Sequence, residues 1–293
     1  MIVTVRQHCF AILVTVEKFR FFAGIYSRKK KNRMKNKWGK FFMPLPLLSR
    51  KRAFLLRLLM LPNFFLTKAY GMENLSGATS ASIYAFNHNN SLEALMVPAF
   101  LAYHLGGRTI SFVTDWMYGK IPVLGHLMNM SDPIYVYHKR SPLFWIEASR
   151  PVTPSENIVE RCFRKIGEGR SIGIFPEGRR NRNPETLARA KPGIGHIALR
   201  TGVEVVPVGI DFNCRTTKGK IPVLGRTIVR IGRPLLFQQQ SDVYRALMTD
   251  ASANRSWRSE CNLMAADVTH EIMLSLASLS GKRYSEEFPG KKS

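Results

Sequence analysis

No stretch of this 293-residue chain supplies the roughly 20 consecutive apolar residues that a membrane-crossing helix needs. A short apolar run near the front, CFAILVTV at 9–16, passes straight into Glu17-Lys18-Phe19-Arg20. A secretory leader would be followed by a small-residue cleavage site; here SRKKKNRMKNK follows instead. Met34 lies inside that basic stretch, so Met1 and Met34 both stand as possible starts. Cysteine is scarce. Cys9, Cys162, Cys214 and Cys261 are scattered, with no CxxC pair and no histidines at zinc spacing, which argues against a disulfide framework or a zinc module and for reduced thiols. No G-x-S-x-G motif is present, so a serine elbow of the hydrolase kind is excluded. Acidic residues are few as well, 20 Asp and Glu against 44 Lys and Arg, a net charge of +24.

Such a surplus calls for a polyanionic partner: nucleic acid, an anionic membrane surface or a phosphorylated substrate. The excess is uneven. Residues 1–57 hold fifteen Lys and Arg against the single acid Glu17, so +14 of the +24 lies there. The segment that follows, FFMPLPLLSRKRAFLLRLLMLPNFFLTK at 41–68, mixes Leu and Phe with Arg and Lys and is interrupted by prolines. A helix at about 49–61 would be apolar around most of its circumference and basic at its start. That suits an element lying in a membrane interface, cations at the lipid phosphates; the alternative is a buried helix whose arginines snorkel to water. The upstream basic run favours the interface, on the cytoplasmic face of an anionic membrane. Nucleic-acid binding is disfavoured: no zinc spacing or RNP-type aromatic motif occurs, and the densest charge adjoins apolar segments. The chain therefore divides into a basic, apolar interfacial segment at 1–68 and a folded domain at 69–293.

Beyond residue 70 the pattern alternates. Short β-rich runs fall at 81–86, 109–114, 132–137, 171–175, 203–210 and 226–232, with helical patterns at 91–105, 155–169, 193–202 and 259–280. The expected fold is α/β, a mostly parallel or mixed β-sheet flanked by helices, with functional residues in loops at strand ends. The heptapeptide GKIPVLG occurs at 119–125 and again at 219–225, but the flanks differ, so no duplicated domain is expected.

Three stretches carry chemistry. In FNHNNSLEAL (86–95), Asn90 or Ser91 can cap a helix whose third residue is then Glu93. His88 would lie just before that helix, where a turn brings its ring near the Glu93 carboxylate. A carboxylate so placed orients one ring nitrogen and stabilises the imidazolium after the other takes a proton. On spacing alone, the plainer reading is a capping box beside a loop histidine. In SIGIFPEGRRNR (171–182), a strand runs into Pro176-Glu177-Gly178 and then Arg179, Arg180 and Arg182. A glycine turn followed by guanidinium forks is a phosphate cradle or a solvated basic turn. In ARAKPGIGHIALRTGVEVVPVGI (188–210), Lys191 and Gly193 precede a helix, and a strand with an internal Pro207 follows.

Together, Asn87-His88-x4-Glu93, Phe175-Pro176-Glu177-Gly178, Lys191-x-Gly193 and Val206-Pro207-Val208 make the chain resemble the glycerolipid acyltransferases typified by lysophosphatidate acyltransferase. The likeness runs from about Gly71 to Pro234. It implies transfer of a fatty acyl group from acyl-coenzyme A or acyl carrier protein to a lysolipid hydroxyl, on a membrane surface, with no metal or other cofactor and no nucleic-acid partner. It implies that His88 is the general base and Glu93 its orienting carboxylate. Glu177, Gly178, Arg179, Arg180, Arg182 and Lys191 are expected around the acceptor's phosphate, joined by Arg140, which stands two residues beyond the ungapped match at His138. The departures are Glu93, where the family more often has Asp, and Arg179 and Asn181, where it usually has Thr and Ser. The extra charge at Arg179 bears on the identity of the acceptor's head group.

Overall fold

All six β-rich runs become strands in the computed structural model, which describes residues 43–75, 80–89, 93–122, 124–181, 183–218, 221–249 and 256–284, without the side chains of 93–95 and 213–225. The chain forms two compact units, Met1–Pro46 and Leu47–Ser293. The second unit holds a seven-stranded sheet in the order β1-β7-β6-β2-β5-β3-β4. Its strands are β1 (Thr67–Tyr70), β2 (Ile83–Phe86), β3 (Ile110–Asp115), β4 (Ile134–Val136), β5 (Ser171–Ile174), β6 (Val205–Lys218) and β7 (Ile221–Ile231). Neighbours pair in parallel except β6 and β7, which form an antiparallel hairpin.

Parallel strands need both faces covered, and the central strands show it. Every side chain of β2 and β5 is buried. On one face, Ile83, Ala85, Ile172 and Ile174 pack with residues of three helices. These are α5 (Ile158–Gly167), which gives Cys162 and Ile166; α6 (Gly193–Thr201), which gives Ile194, Ile197 and Ala198; and the 24-residue α8 (Trp257–Ser280). Along α8 the buried residues Ala265, Val268, Ile272, Met273 and Leu276 recur at helical spacing, which presents one apolar stripe to the sheet. The other face involves α1 (Arg50–Leu66) and α2 (Glu93–His104), joined by an edge-to-face contact of Phe64 with Tyr103, centroids 5.8 Å apart.

The structure departs from expectation at particular places. The front helix does not stop at 61 but continues through Pro62 to Leu66. Asn63 bonds outward there, its Nδ2 donating to the Met96 carbonyl at 3.0 Å and its Oδ1 accepting from the Thr67 hydroxyl at 2.7 Å. Thr67 begins β1, which lies beside β7, so α1 belongs to the compact unit that begins at Leu47 rather than to a separate front segment. Strand β1 and the helices α3 (Leu124–Asn129), α4 (Phe144–Ala148) and α7 (Gln238–Thr249) lie where no element was expected. The two GKIPVLG copies adopt different structures. The first runs from a 3-10 turn (Trp116–Lys120) into α3, while the second enters β7.

Candidate active site

Strand β2 ends at Phe86, and the chain leaves the sheet through Asn87-His88-Asn89 before α2 begins at Glu93. Side chains hold this turn by imitating backbone. Asn87, fully buried, donates from Nδ2 to the Ile210 carbonyl at 2.8 Å and accepts the Ile210 amide on Oδ1 at 2.6 Å. It thus does for β6 what a neighbouring peptide unit would do. Asn89 donates to the same carbonyl at 2.8 Å.

The loop after β5 is tied to this turn through one buried acid. The His88 amide donates to Glu177 Oε1 at 2.9 Å, and the Ala188 amide donates to Glu177 Oε2 at 2.7 Å. The Asn181 amide in turn donates to the His88 carbonyl at 2.8 Å. Both backbone polar groups of His88 are therefore bonded to the 177–181 loop. A third tie comes from Lys282, just beyond α8, whose Nζ donates to Asn89 Oδ1 at 2.6 Å and to the Asn183 carbonyl at 2.8 Å. The next residue adds to it: the Arg283 amide donates to the Glu185 carbonyl at 2.7 Å, and the Leu187 amide to the Arg283 carbonyl at 2.9 Å.

The His88 ring lies against Phe175, centroids 4.5 Å apart. Its Nδ1 is buried and has no hydrogen-bond partner among the described residues. Burial first, then the positive charges of Arg180 and Lys139, push its pKa down from 6.5 to about 4. The imidazole is neutral at physiological pH, with an acceptor lone pair available. A buried ring nitrogen without a partner is costly to keep, and its position next to cations makes His88 a candidate for chemistry.

Around the ring the expected residues are distributed unevenly. Gly178 sits at φ +62°, a conformation glycine adopts freely, and an added Cβ would lie 3.2 Å from Cε of Lys191. The Lys191 chain therefore runs along this turn, and its amide donates to the Pro176 carbonyl at 2.9 Å. Arg179, Arg180 and Lys191 are exposed, whereas Glu177 is only 3% exposed. With both oxygens engaged by amides, Glu177 faces the protein and holds the loop rather than facing a ligand anion. Among the cations after β4, the charge of Lys139 acts on His88, while that of Arg140 acts on Glu147. Lys139 is also paired with Asp115 at 2.8 Å. The nearer cation is thus the neighbour of the expected one. The side chain of Glu93, and Arg182 as a whole, lie outside the described residues. Lys282 and Asn89 were not expected at the site; the run of asparagines around His88 was the one local hint.

Beside this site an apolar cavity of about 120 Å³ opens between α1, α2 and the sheet. Leu55, Leu59, Ala99, Ala102 and Phe112 line it, with Arg52 among the lining residues. Phe112 contacts both Phe86 (5.4 Å) and Phe175 (6.1 Å), so one cluster of rings connects the cavity wall with the imidazole. Gly173 makes room for it, because a Cβ there would lie 2.4 Å from the Phe112 ring.

Comparison with known proteins bears on the family of the chain. A family model described as Acyltransferase matches residues 67–211, from the first residue of β1 into β6 and across every loop of the site but the Lys282 tie. The chain belongs to the acyltransferase family. Over 145 residues this acyltransferase is 28% identical to the 1-acyl-sn-glycerol-3-phosphate acyltransferase BAT2 of Brassica napus, a match covering 50% of this chain and 37% of that protein. It is 29% identical over 143 residues to the Haemophilus influenzae 1-acyl-sn-glycerol-3-phosphate acyltransferase, covering 48% of this chain and 51% of that one. A shorter segment of 48 residues is 48% identical to the Borreliella burgdorferi protein of the same name, or 16% of this chain and 19% of that one. The matched region thus spans about a third to a half of the length of the two longer-matching relatives. The crystal structure of the lysophosphatidate acyltransferase PlsC from Thermotoga maritima aligns over 88% of this chain and 85% of its own, at TM-score 0.43 and 18% identity. Among the described residues of the acyltransferase, no helix is long and apolar enough to cross a membrane.

Proposed function

We propose that this acyltransferase moves a fatty acyl group from a thioester, acyl-coenzyme A or acyl carrier protein, to the free hydroxyl of lysophosphatidic acid, giving phosphatidic acid. One observation carries the reading. A half-buried, neutral imidazole is fixed by its own backbone to the loop that presents Arg179 and Arg180. A lipid hydroxyl is too weak an acid to ionise alone at neutral pH. His88 takes its proton as the oxygen attacks the thioester carbonyl, and returns that proton to the thiolate when the carbon–sulfur bond breaks.

Glu93 supplies the acceptor that buried Nδ1 lacks among the described residues, holding the ring with its other nitrogen toward the hydroxyl. Glu177 and Gly178 shape the loop. Arg179, Arg180, Arg182 and Lys191 meet the acceptor's phosphate, with Lys139 the closer and Arg140 the outer cation after β4. A phosphate placed on Arg180 also cancels part of the field that lowers the His88 pKa, so the bound acceptor makes its own base stronger. The apolar cavity receives the acyl chain. Toward the membrane, α1 exposes Phe54, Leu58 and Phe65 alongside Arg50 and Lys51, the combination an interfacial helix needs on the cytoplasmic face of an anionic leaflet.

A second reading keeps the chemistry and changes the acceptor to another lysolipid, a lysophospholipid or an amino-acid lipid. Arg179 beside Arg180 favours a doubly charged phosphate monoester over either. Purified protein given acyl-coenzyme A and a panel of labelled lysolipids decides. Phosphatidic acid as the main product, lost in His88→Ala and reduced in Glu93→Gln, supports the proposal; preferential acylation of a lysophospholipid replaces it.

A further inference from the structure

Strands β2, β3, β4 and β5 run in one direction, so their carboxyl ends share one edge of the sheet. The loops after β2 and β5 make the site. The loop after β4 leaves the same edge and reads HKRSPLFWIEASR at 138–150. At its tip Leu143, Phe144 and Trp145 are 45%, 87% and 54% exposed. Single apolar residues on a surface need no explanation, but three consecutive large ones do.

This tip is firmly built. Ile146 is buried beneath it, and the Ile146 and Glu147 amides both donate to the Leu143 carbonyl, at 3.1 and 3.0 Å. Glu147 accepts the Ser141 amide at 2.7 Å and pairs with Arg150 at 3.1 Å. Arg150 lies over the ring of buried Trp116, whose indole donates to the Lys139 carbonyl at 3.0 Å. A turn held at so many points presents its apolar side chains outward by construction. His138, Lys139 and Arg140 are all exposed on its approach, and Lys120 and Tyr118 are exposed on the 3-10 turn packed beside α4.

We propose that Leu143, Phe144 and Trp145 form a docking tip that enters the interface of an anionic lipid leaflet next to the active site, with His138 and Arg140 at the lipid phosphates. Protruding Trp and Phe behind a cationic rim match the headgroup layer, where amphipathic rings settle and cations find phosphate. The sign of the rim selects the occupant. The chain's own front segment, +14 over residues 1–57, and a second copy of the chain both bring cations against cations. An acidic carrier protein has a suitable charge, but three bulky side chains side by side on a protruding turn fit a fluid lipid layer better than a preformed pocket. The tip's purpose rests on the acyl-transfer reading, because it turns the mouth of the site toward the layer that holds a lysolipid.

Full-length protein with Trp38→Phe and Trp257→Phe keeps Trp145 and the buried Trp116 as reporters. With vesicles of phosphatidylcholine and phosphatidylglycerol, the expected result is a blue-shifted Trp145 emission that brominated lipid quenches and that Trp145→Phe removes. Phe144→Ser with Trp145→Ser should weaken vesicle binding roughly ten-fold or more, from the apolar area no longer buried. Its thermal midpoint and its turnover of a short-chain, monomeric lysolipid should stay unchanged. Vesicle-bound protein whose Trp145 is not quenched overturns the proposal, as does protection of Trp145 by an acidic acyl carrier protein in place of lipid. Docking is read without substrate. Quenching at Trp145 with no acyl transfer would therefore sink the functional reading and leave the docking tip standing.

Discussion

The two sides of the site are made by opposite means. On one side Asn87, Asn89, Glu177 and Lys282 lie in a web of hydrogen bonds between 2.6 and 2.9 Å, all of them side chain to backbone except that of Lys282 with Asn89. On the other, Arg179, Arg180, Lys191 and Lys139 stand in solvent. His88 is the seam: its backbone belongs to the first side and its ring feels the charges of the second. The contrast teaches where order matters. Under the proposed function this division makes sense: proton transfer tolerates little misplacement, and His88 is held by backbone bonds, whereas phosphate binding by long cations works through flexible, charge-assisted contacts on an open side. Variants on the web should change folding and turnover together; variants among the cations should change substrate affinity and pH dependence with little effect on folding.

The largest effect is expected at the seam itself. His88→Ala should lower acyl transfer about a hundred- to ten-thousand-fold, measured as turnover with saturating acceptor, without lowering the thermal midpoint. On the web, Glu177→Gln keeps the shape but turns a donor toward one of two backbone amides, and a buried group so mismatched costs about 1–3 kcal/mol. Chemical unfolding should show that loss, with turnover falling and the KM for acceptor little changed; an unaltered unfolding midpoint would break the contrast. Among the cations, Arg180→Gln should raise the KM for lysophosphatidate roughly ten-fold, the loss expected for one charge-assisted contact, and leave the unfolding midpoint in place.

The pH dependence sharpens the same contrast. With its pKa lowered from 6.5 to about 4, His88 stays neutral and competent as pH falls below 6.5, and activity is lost only as pH falls through the folded value. Stability moves the other way from habit: the unfolded chain binds the proton first, so the contribution of this group declines as pH falls from 6.5 toward 4 and is constant below. Arg180→Gln removes a lowering influence and should move the acid limb of the rate profile to higher pH. Lys139→Met should move it the same way by less, since its influence ranks after that of Arg180, and Arg140→Met should not move it.

Much of this was legible in the residues, and the misses share a cause. The strand-to-helix junction at His88 and the glycine turn at 178 are local features, and both lie where spacing and turn chemistry put them. Lys282 was invisible because it reaches Asn89 across 193 positions, a proximity that only α8 packing on the sheet creates. Glu177 sits in a loop that reads as a phosphate cradle, yet its burial turns it into a brace. Arg140 and Lys139 are adjacent, and only the folded structure shows that the charge of Lys139 acts on the ring while that of Arg140 acts on Glu147. Strand β1 was missed because TKAY is only four residues long, and α7 because QQQSDVYRALMT is polar over much of its length. The twin GKIPVLG segments make the limit plain: one heptapeptide takes a turn-and-helix path in one place and a strand in the other, as its neighbours dictate.

The tie from Lys282 has a consequence for how the site is ordered. All the motifs that mark the family lie before Pro234 in the chain, yet the clasp joining Asn89 to Asn183 needs residue 282. Ordering of the 87–89 and 177–183 loops is thereby coupled to the packing of the last helix of the fold.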